Sequence, residues 1–189
     1  MSIIIYKRIE DEVIMYNLTL VKPSKEIEKS IWEYRQEYFD FGETHINGSF
    51  GIAYYNDFNE WLNLVQGIEK DELSRDNIHA STYFTVRESD HKIIGSIQLR
   101  HYLTEELEKH GGHIGYGIRP SERRKGYGKQ QLLLVLEKAR EMNLPKVMIT
   151  CDKDNAASRR TALSCGGILT SENIYEDKEQ QIFWIDLTK

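Results

Sequence analysis

The chain predicts an α/β (α+β) fold, a mixed sheet with helices packed on it, and two observations carry that reading. The apolar spacing switches along the chain between the helical and the strand period. The middle of the chain runs strand after strand, whereas the second half alternates strands with helices.

The elements follow in order. Residues 13–21 are rich in β-formers and stop before Pro23, which reads as a strand. Ser24 then precedes Ile27, Ile31, Tyr34 and Tyr38, which share one helix face. Asn56 or Asp57 is a suitable N-cap for a second helix with Phe58, Trp61, Leu62, Val65 and Ile68 inward. The period then falls to two. Thr82, Phe84 and Val86 form one face of a strand, and Ile93, Gly95, Ile97 and Leu99 one face of the next, with a turn at Ser89-Asp90-His91 between them. Residues 103–110 are polar and read as a helical turn or loop. Residues 112–118 form a strand ended by Arg119-Pro120. Gly128 opens a long helix whose apolar face is Leu132, Leu133, Leu136, Ala139 and Met142, and Leu144-Pro145 ends it. A strand at 146–151 leads to a helix capped by Asp154 or Asn155, which runs to about Cys165 and stops at Gly166-Gly167. Closing strands lie near 168–175 and 181–187, with Phe183 and Trp184 read as core. There is no repeat, linker or low-complexity tract, so residues 1–189 read as one domain.

Composition narrows the function classes. At 189 residues with 40% apolar content, the chain can bury a core without disulfides or metal. With 25 Lys+Arg against 30 Asp+Glu, the net charge of −5 gives no general attraction to nucleic acid or anionic lipid. No apolar run is long enough to span a bilayer, and the opening MSIIIYKRIEDE shows no secretory pattern. Cys151 and Cys165 fit no redox or metal spacing and read as reduced thiols at or near the core. These features point to the cytoplasm, with no metal, nucleic acid or membrane as partner.

The informative stretch is IGYGIRPSERRKGYGK, residues 114–129. A strand leads through a basic, glycine-bearing turn into a helix. The first N–H groups of a helix lack intrahelical partners and carry partial positive charge. Gly126 and Gly128 allow close approach to that backbone, and Arg123, Arg124, Lys125 and Lys129 supply charge, so the turn suits a phosphate. The other reading is a solvated basic turn whose glycines serve packing. The segment is not a P-loop, since no Gly-Lys-Ser/Thr ends it. It is not the dinucleotide GxGxxG either, because Gly115 and Gly117 lie within the strand and Pro120 breaks the third position.

Arg123-x-x-Gly126-x-Gly128, after an Ile-Gly-Tyr strand and Arg119-Pro120, resembles the Arg/Gln-x-x-Gly-x-Gly/Ala signature of GNAT acetyltransferases. Residues 154–159, DNAASR, follow the next strand and resemble the family's Asn-x-x-Ala/Ser helix start. Together with the order of elements, the resemblance covers nearly the whole chain and looks closest to a bacterial branch of predicted acetyltransferases. It implies a mostly antiparallel sheet with a splayed parallel strand pair, at residues 112–118 and 146–151. It also implies acetyl-CoA as co-substrate: Arg123, Arg124, Lys125, Gly126, Tyr127, Gly128 and Lys129 around its pyrophosphate, Tyr116 and Ile118 along its pantetheine arm, Asn155 facing that arm or a substrate-side water, and Ser158 and Arg159 near the pantetheine and phosphate end. The backbone N–H near Ile118 would polarise the thioester carbonyl for direct attack by an amine.

Two positions depart from the family pattern. His113 stands where many relatives have Glu, and is the candidate base; the alternative is a partly exposed strand histidine. Ala162 stands where many relatives have a proton-donating Tyr, which leaves Cys165, Tyr175, Tyr116 or water as the acid. The amine site is expected among Tyr38, Phe39, Glu43, His45, Tyr54, Tyr55, Asp57 and Trp61, any of which could instead be core or solvated. The acceptor is expected to be a small-molecule or peptide amine, and a homodimer would cover the late hairpin's edge. A non-catalytic acyl-CoA-binding sensor or partner protein is the alternative function.

Overall fold

A computed structural model describes residues 3–9, 12–70 and 78–188, with side chains from Asn17 onward. Strands β1 (Ile3–Ile9) and β2 (Glu12–Val21) open the chain. Helices α1 (Glu28–Asp40) and α2 (Phe58–Glu69) follow. Next come β3 (Ala80–Arg87), β4 (Lys92–Arg100), the short helix α3 (Glu105–Lys109) and β5 (Ile114–Ile118). The chain ends with α4 (Tyr127–Glu141), β6 (Lys146–Asp152), α5 (Ala156–Ser164), β7 (Ile168–Tyr175) and β8 (Lys178–Asp186).

The first five strands form an antiparallel sheet in the order β1-β2-β3-β4-β5, and the last three a second one in the order β6-β8-β7. β1 was not expected: its isoleucines alternate too weakly with polar residues to separate from a loop, yet it pairs with β2 from Ile3–Leu18 to Ile9–Glu12. Of the opening segment read for a secretory pattern, residues 1, 2, 10 and 11 lie outside the described residues. Asp57 is the N-cap of α2, accepting from the Asn59 and Glu60 N–H groups, and Asn155 that of α5, accepting from Ser158 N–H.

One core joins the two sheets. Ile97, Leu99 and Ile114 of the first meet Val147, Ile149, Phe183 and Ile185 of the second, with Leu132, Val135, Leu136 and Ala139 of α4 between them. Helix α4 buries more than the expected stripe. Leu134 packs into a separate cluster with Leu18, Ile94 and Tyr127, while Leu133 and Met142 are only partly buried. On the opposite face, α1 and α2 lay Tyr34, Tyr38, Trp61 and Phe58 over Phe84, Val86 and Ile93. Trp61 and Tyr38 are therefore core residues rather than an open wall. Trp184 is partly exposed, with the Lys146 ammonium 4.3 Å from its ring centroid.

Between β5 and β6 there is no ladder. Just before β5, Gly112 makes one isolated antiparallel bridge to Ile149 of β6, and the expected parallel pairing is not seen as paired strands. His113 closes this junction. Its N–H donates to the Met148 carbonyl at 2.8 Å, and its Nδ1 accepts from the Met148 N–H at 3.0 Å. Beyond it, Gly115–Ile118 are only half buried and lie at the sheet's edge.

Candidate active site

The edge of β5 is defined by its pairing with β4. Ile118 is opposite Gly95, and the flanking bond from Arg119 N–H to Ile94 C=O, 2.8 Å, makes this a non-hydrogen-bonded pair. Ile118 therefore points its own N–H and C=O away from β4. By the same alternation so does Tyr116, opposite Ile97. The strand thus turns the Tyr116 N–H and C=O and the Ile118 N–H to its outer edge, while the Ile118 carbonyl on that edge is taken by Tyr38 Oη and Arg123 Nε. On the α5 side, Tyr116 Oη bonds Ser158 Oγ at 2.9 Å and the Ser158 carbonyl at 3.2 Å. Burial pushes the Tyr116 phenol up to about 12, which leaves it a poor proton donor.

At the end of this edge stands the start of α4. Its N-cap, Gly126, has φ +85° and no side-chain cap bonds the helix end. A glycine suits that left-handed backbone, and nothing within 4 Å would meet a Cβ there. Gly128 faces Thr161 of α5, and Cys165 Sγ lies 3.7 Å from the Lys129 carbonyl. Cys165 is thus grouped with the α4 start, and burial raises its thiol.

The cations of the turn divide into two sets. Arg123 is held by Glu43 through two bonds of 2.5 and 2.8 Å, and its Nε donates to the Ile118 carbonyl at 3.1 Å. Lys125 is held by Glu122 at 2.9 Å. Arg124, Lys129, Arg159 and Arg160 have no carboxylate partner among the described residues, and all four are exposed. The cations available to a phosphate are therefore this second set, not the Arg123 and Lys125 side chains. Glu122 was missed from sequence, although an acid inside a basic run was the available signal. It is buried and also bonds Lys92 at 2.8 Å and Arg87 at 3.2 Å. Burial alone would raise its pKa, but Lys92, Lys125 and Arg87 hold it down to about 2.

The face of β5 opposite α4 carries several of the residues expected to line an amine site. A Cβ on Gly117 would lie 2.9 Å from the Asn47 carbonyl and 3.0 Å from Tyr38 Oη; one on Gly48 would lie 2.6 Å from the Gly115 and Ser96 carbonyls. Backbone thus rests on backbone where the loop after α1 crosses the strand. Tyr38 Oη donates to the Ile118 carbonyl at 2.9 Å and meets Tyr34 Oη at 3.1 Å. Tyr34 Oη is 3.0 Å from Ser96 Oγ, which donates to the Asn47 carbonyl at 2.8 Å. Burial raises the pKa of both tyrosines. Glu43, His45, Asn47 and Tyr54 border the outer side of this loop. Tyr55 and Phe39 pack or stack at the α1–α2 cluster: Phe39 lies 4.6 Å from the Arg35 guanidinium.

The expected base, His113, does not fit that role here. Its Nδ1 lone pair is taken by Met148 N–H, so the neutral ring carries its proton on Nε2. Burial first, then Arg100 and Lys146, lowers its pKa to about 4. Among the expected acids, Tyr175 stacks on His110 with centroids 3.7 Å apart, and Ala162 is fully buried and has no proton to give.

The edge of β5 thus leads to an uncapped helix start beside cations that have no carboxylate partner among the described residues. The description "Acetyltransferase (GNAT) domain" matches residues 31–168, and the chain belongs to this family. No curated protein matches it by sequence. Among solved structures, it is similar to the microcin self-immunity acetyltransferase MccE in complex with acetyl-CoA and AMP, at 18% identity and a TM-score of 0.65 over 89% of this chain and 92% of that one. A ribosomal-protein alanine acetyltransferase from Vibrio fischeri is 16% identical with a TM-score of 0.64, covering 98% of each chain. An acetyltransferase of Salmonella typhimurium that modifies the N-terminal serine of a ribosomal protein is 16% identical with a TM-score of 0.61, over 89% and 94% of the two chains. Among the described residues, no helix is long and apolar enough to cross a membrane, and no group of three or more His, Cys, Asp or Glu could hold a metal ion.

Proposed function

We propose that this protein transfers an acetyl group from acetyl-CoA to a primary amine, by direct attack of the amine on the thioester. The observation that carries the reading is the free edge of β5, running from Tyr116 and Ile118 to the uncapped start of α4. The pantetheine arm would lie along this edge and pair with the outward peptide groups of Tyr116. The pyrophosphate would meet the N–H groups at residues 126–129, with Arg124, Lys129, Arg159 and Arg160 supplying charge. Asn155 and Ser158 would border the arm from α5. The Ile118 N–H would bond the carbonyl oxygen as it gains charge in the tetrahedral intermediate, where a fixed donor accelerates the reaction most. The α-amino group of a peptide is the favoured acceptor, since two of the structural neighbours act on ribosomal proteins.

A second reading, an acyl-CoA-binding protein without turnover, draws on one observation: Ala162 offers no hydroxyl to the leaving thiolate. One experiment separates the two. The melting temperature is measured with acetyl-CoA, CoA and ATP, and free thiol is followed with a hexapeptide beginning in serine. A ligand at 100 times its dissociation constant adds about 2.7 kcal/mol of stability. A shift with both CoA forms plus peptide-dependent thiol release supports the enzyme. A shift without release from this peptide or a panel of small amines supports the binding protein. No shift at millimolar acetyl-CoA refutes both.

A further inference from the structure

We infer that His45, held by Asn47 and Tyr54, is the general base that deprotonates the acceptor amine; this rests on the acetyltransferase reading above. The argument begins with what the other bases near the strand are doing. The His113 lone pair is bonded to Met148 N–H. Both oxygens of Glu43 are bonded to Arg123. Tyr38 donates its proton to the Ile118 carbonyl.

His45 differs from all three. Its Nε2 is 3.1 Å from Asn47 Oδ1 and its Nδ1 is 3.1 Å from Tyr54 Oη. An amide oxygen only accepts, so Nε2 carries the hydrogen and Nδ1 keeps its lone pair, directed at a hydroxyl. Asn47 thereby fixes the ring's tautomer and orientation, the part a third group plays in an acid–base constellation. The ring and the Tyr54 hydroxyl are exposed, with Tyr54 69% accessible, so an amine can reach them.

The position follows from the loop's two anchors. At one end Glu43 grips Arg123, which bonds the Ile118 carbonyl. At the other the Asn47 carbonyl accepts from Ser96 and lies against Gly117. His45 is two residues from each anchor, and two residues span at most about 7 Å. The main chain of His45 is therefore held within about 7 Å of both anchors, on the loop that rests against Gly117 next to Ile118, where the thioester carbonyl would be bound. That loop crosses the face of β5 opposite α4, the side from which an acceptor could approach.

The step balances without another reactant. The acceptor ammonium gives one proton to His45 Nδ1, directly or through the Tyr54 hydroxyl. The freed nitrogen lone pair forms the C–N bond, and the C–S electron pair leaves on sulfur. A second nitrogen proton ends on the thiolate, and the imidazolium releases its proton to water.

The test uses the full chain, the serine-initiated hexapeptide and methoxyamine, an acceptor already unprotonated at neutral pH. His45→Ala should lower kcat with the peptide by a hundredfold or more, the scale of a lost general base. It should leave the acetyl-CoA melting shift and KM unchanged, lose under tenfold with methoxyamine, and regain rate with added imidazole. Asn47→Ala should lower kcat less, with the same unchanged acetyl-CoA shift. In parallel, nitrogen NMR of histidine-labelled protein should show the His45 signal, assigned by its loss in the variant, as the Nε2–H tautomer. The inference is overturned by a His45→Ala rate within threefold of the parent, by equal losses with both acceptors, or by the Nδ1–H tautomer. Failure of the acetyl-CoA shift in the unaltered protein would instead strike the acetyltransferase reading, and the tautomer still decides the hydrogen-bond assignment on which His45 depends.

Discussion

Glu122→Gln removes one negative charge from the middle of three cations. The buried carboxylate bonds Lys92 at 2.8 Å, Lys125 at 2.9 Å and Arg87 at 3.2 Å, and so joins the turn before α4 to the hairpin of β3 and β4. Its pKa falls from the ordinary 4.5 to about 2, because the three cations outweigh the effect of burial. At 1.36 kcal/mol per unit, that difference corresponds to about 3 kcal/mol of stability at neutral pH. The sign is that of a depressed carboxylate. The contribution is complete above the unfolded pKa and is lost as pH falls toward the folded one. About 0.8 kcal/mol is already gone at pH 4, and nearly all by pH 2. Urea unfolding at pH 7 should therefore place Glu122→Gln about 3 kcal/mol below the parent, with a melting temperature lower by roughly 6–12 °C for a chain of this size. At pH 4 the gap should narrow. A gap under 0.5 kcal/mol at pH 7, or one that widens in acid, would refute the idea that Glu122 organises this turn.

Three further outcomes follow from the geometry. Arg124→Ala should weaken acetyl-CoA binding several-fold, with the loss shrinking at high salt, whereas Lys125→Ala should matter less because its ammonium already faces Glu122; calorimetric titration at two ionic strengths reads both. Gly48→Ala should cost about 1–3 kcal/mol, since its Cβ would come 2.6 Å from two backbone carbonyls, while Gly42→Ala, also at positive φ but with open space, should cost about 1 kcal/mol; chemical denaturation ranks them. His113→Leu should cost about 1–3 kcal/mol by orphaning Met148 N–H. With its folded pKa lowered to about 4 from 6.5, the parent loses the His113 contribution as pH falls from about 6.5 to about 4, and the variant should lack that stretch of its stability profile.

Much of this architecture was legible because local rules decided it. Asp57 and Asn155 cap their helices as short polar side chains before apolar runs should, and Pro23, Pro120 and Pro145 stand where elements end. The signature turn was legible because its glycines and helix start lie within a few residues of one another. Long-range facts were not. That Arg123 and Lys125 are committed to Glu43 and Glu122 depends on an 80-residue separation in the first case and on burial in the second. His113 has the right type and position for a base, but the identity of its partner, Met148, is decided by how two sheets meet. β1 escaped notice because pairing with β2 fixes it more than its own pattern does.

The seating of the loop after α1 on β5 has a consequence for how specificity could change on the proposed reading. At Gly48, Gly115 and Gly117 the two segments touch through main chain, so the spacing between loop and strand is independent of side-chain identity elsewhere in the loop. On the proposed reading, Thr44, which is exposed and lies between the Glu43 anchor and His45, can be exchanged to meet a different amine while the height of the loop above the strand stays constant. The loop is thus a cassette on a fixed mount, and on the proposed reading a library at the exposed position 44 would sample acceptors while leaving His45, Tyr54 and the buried Ile46 in place.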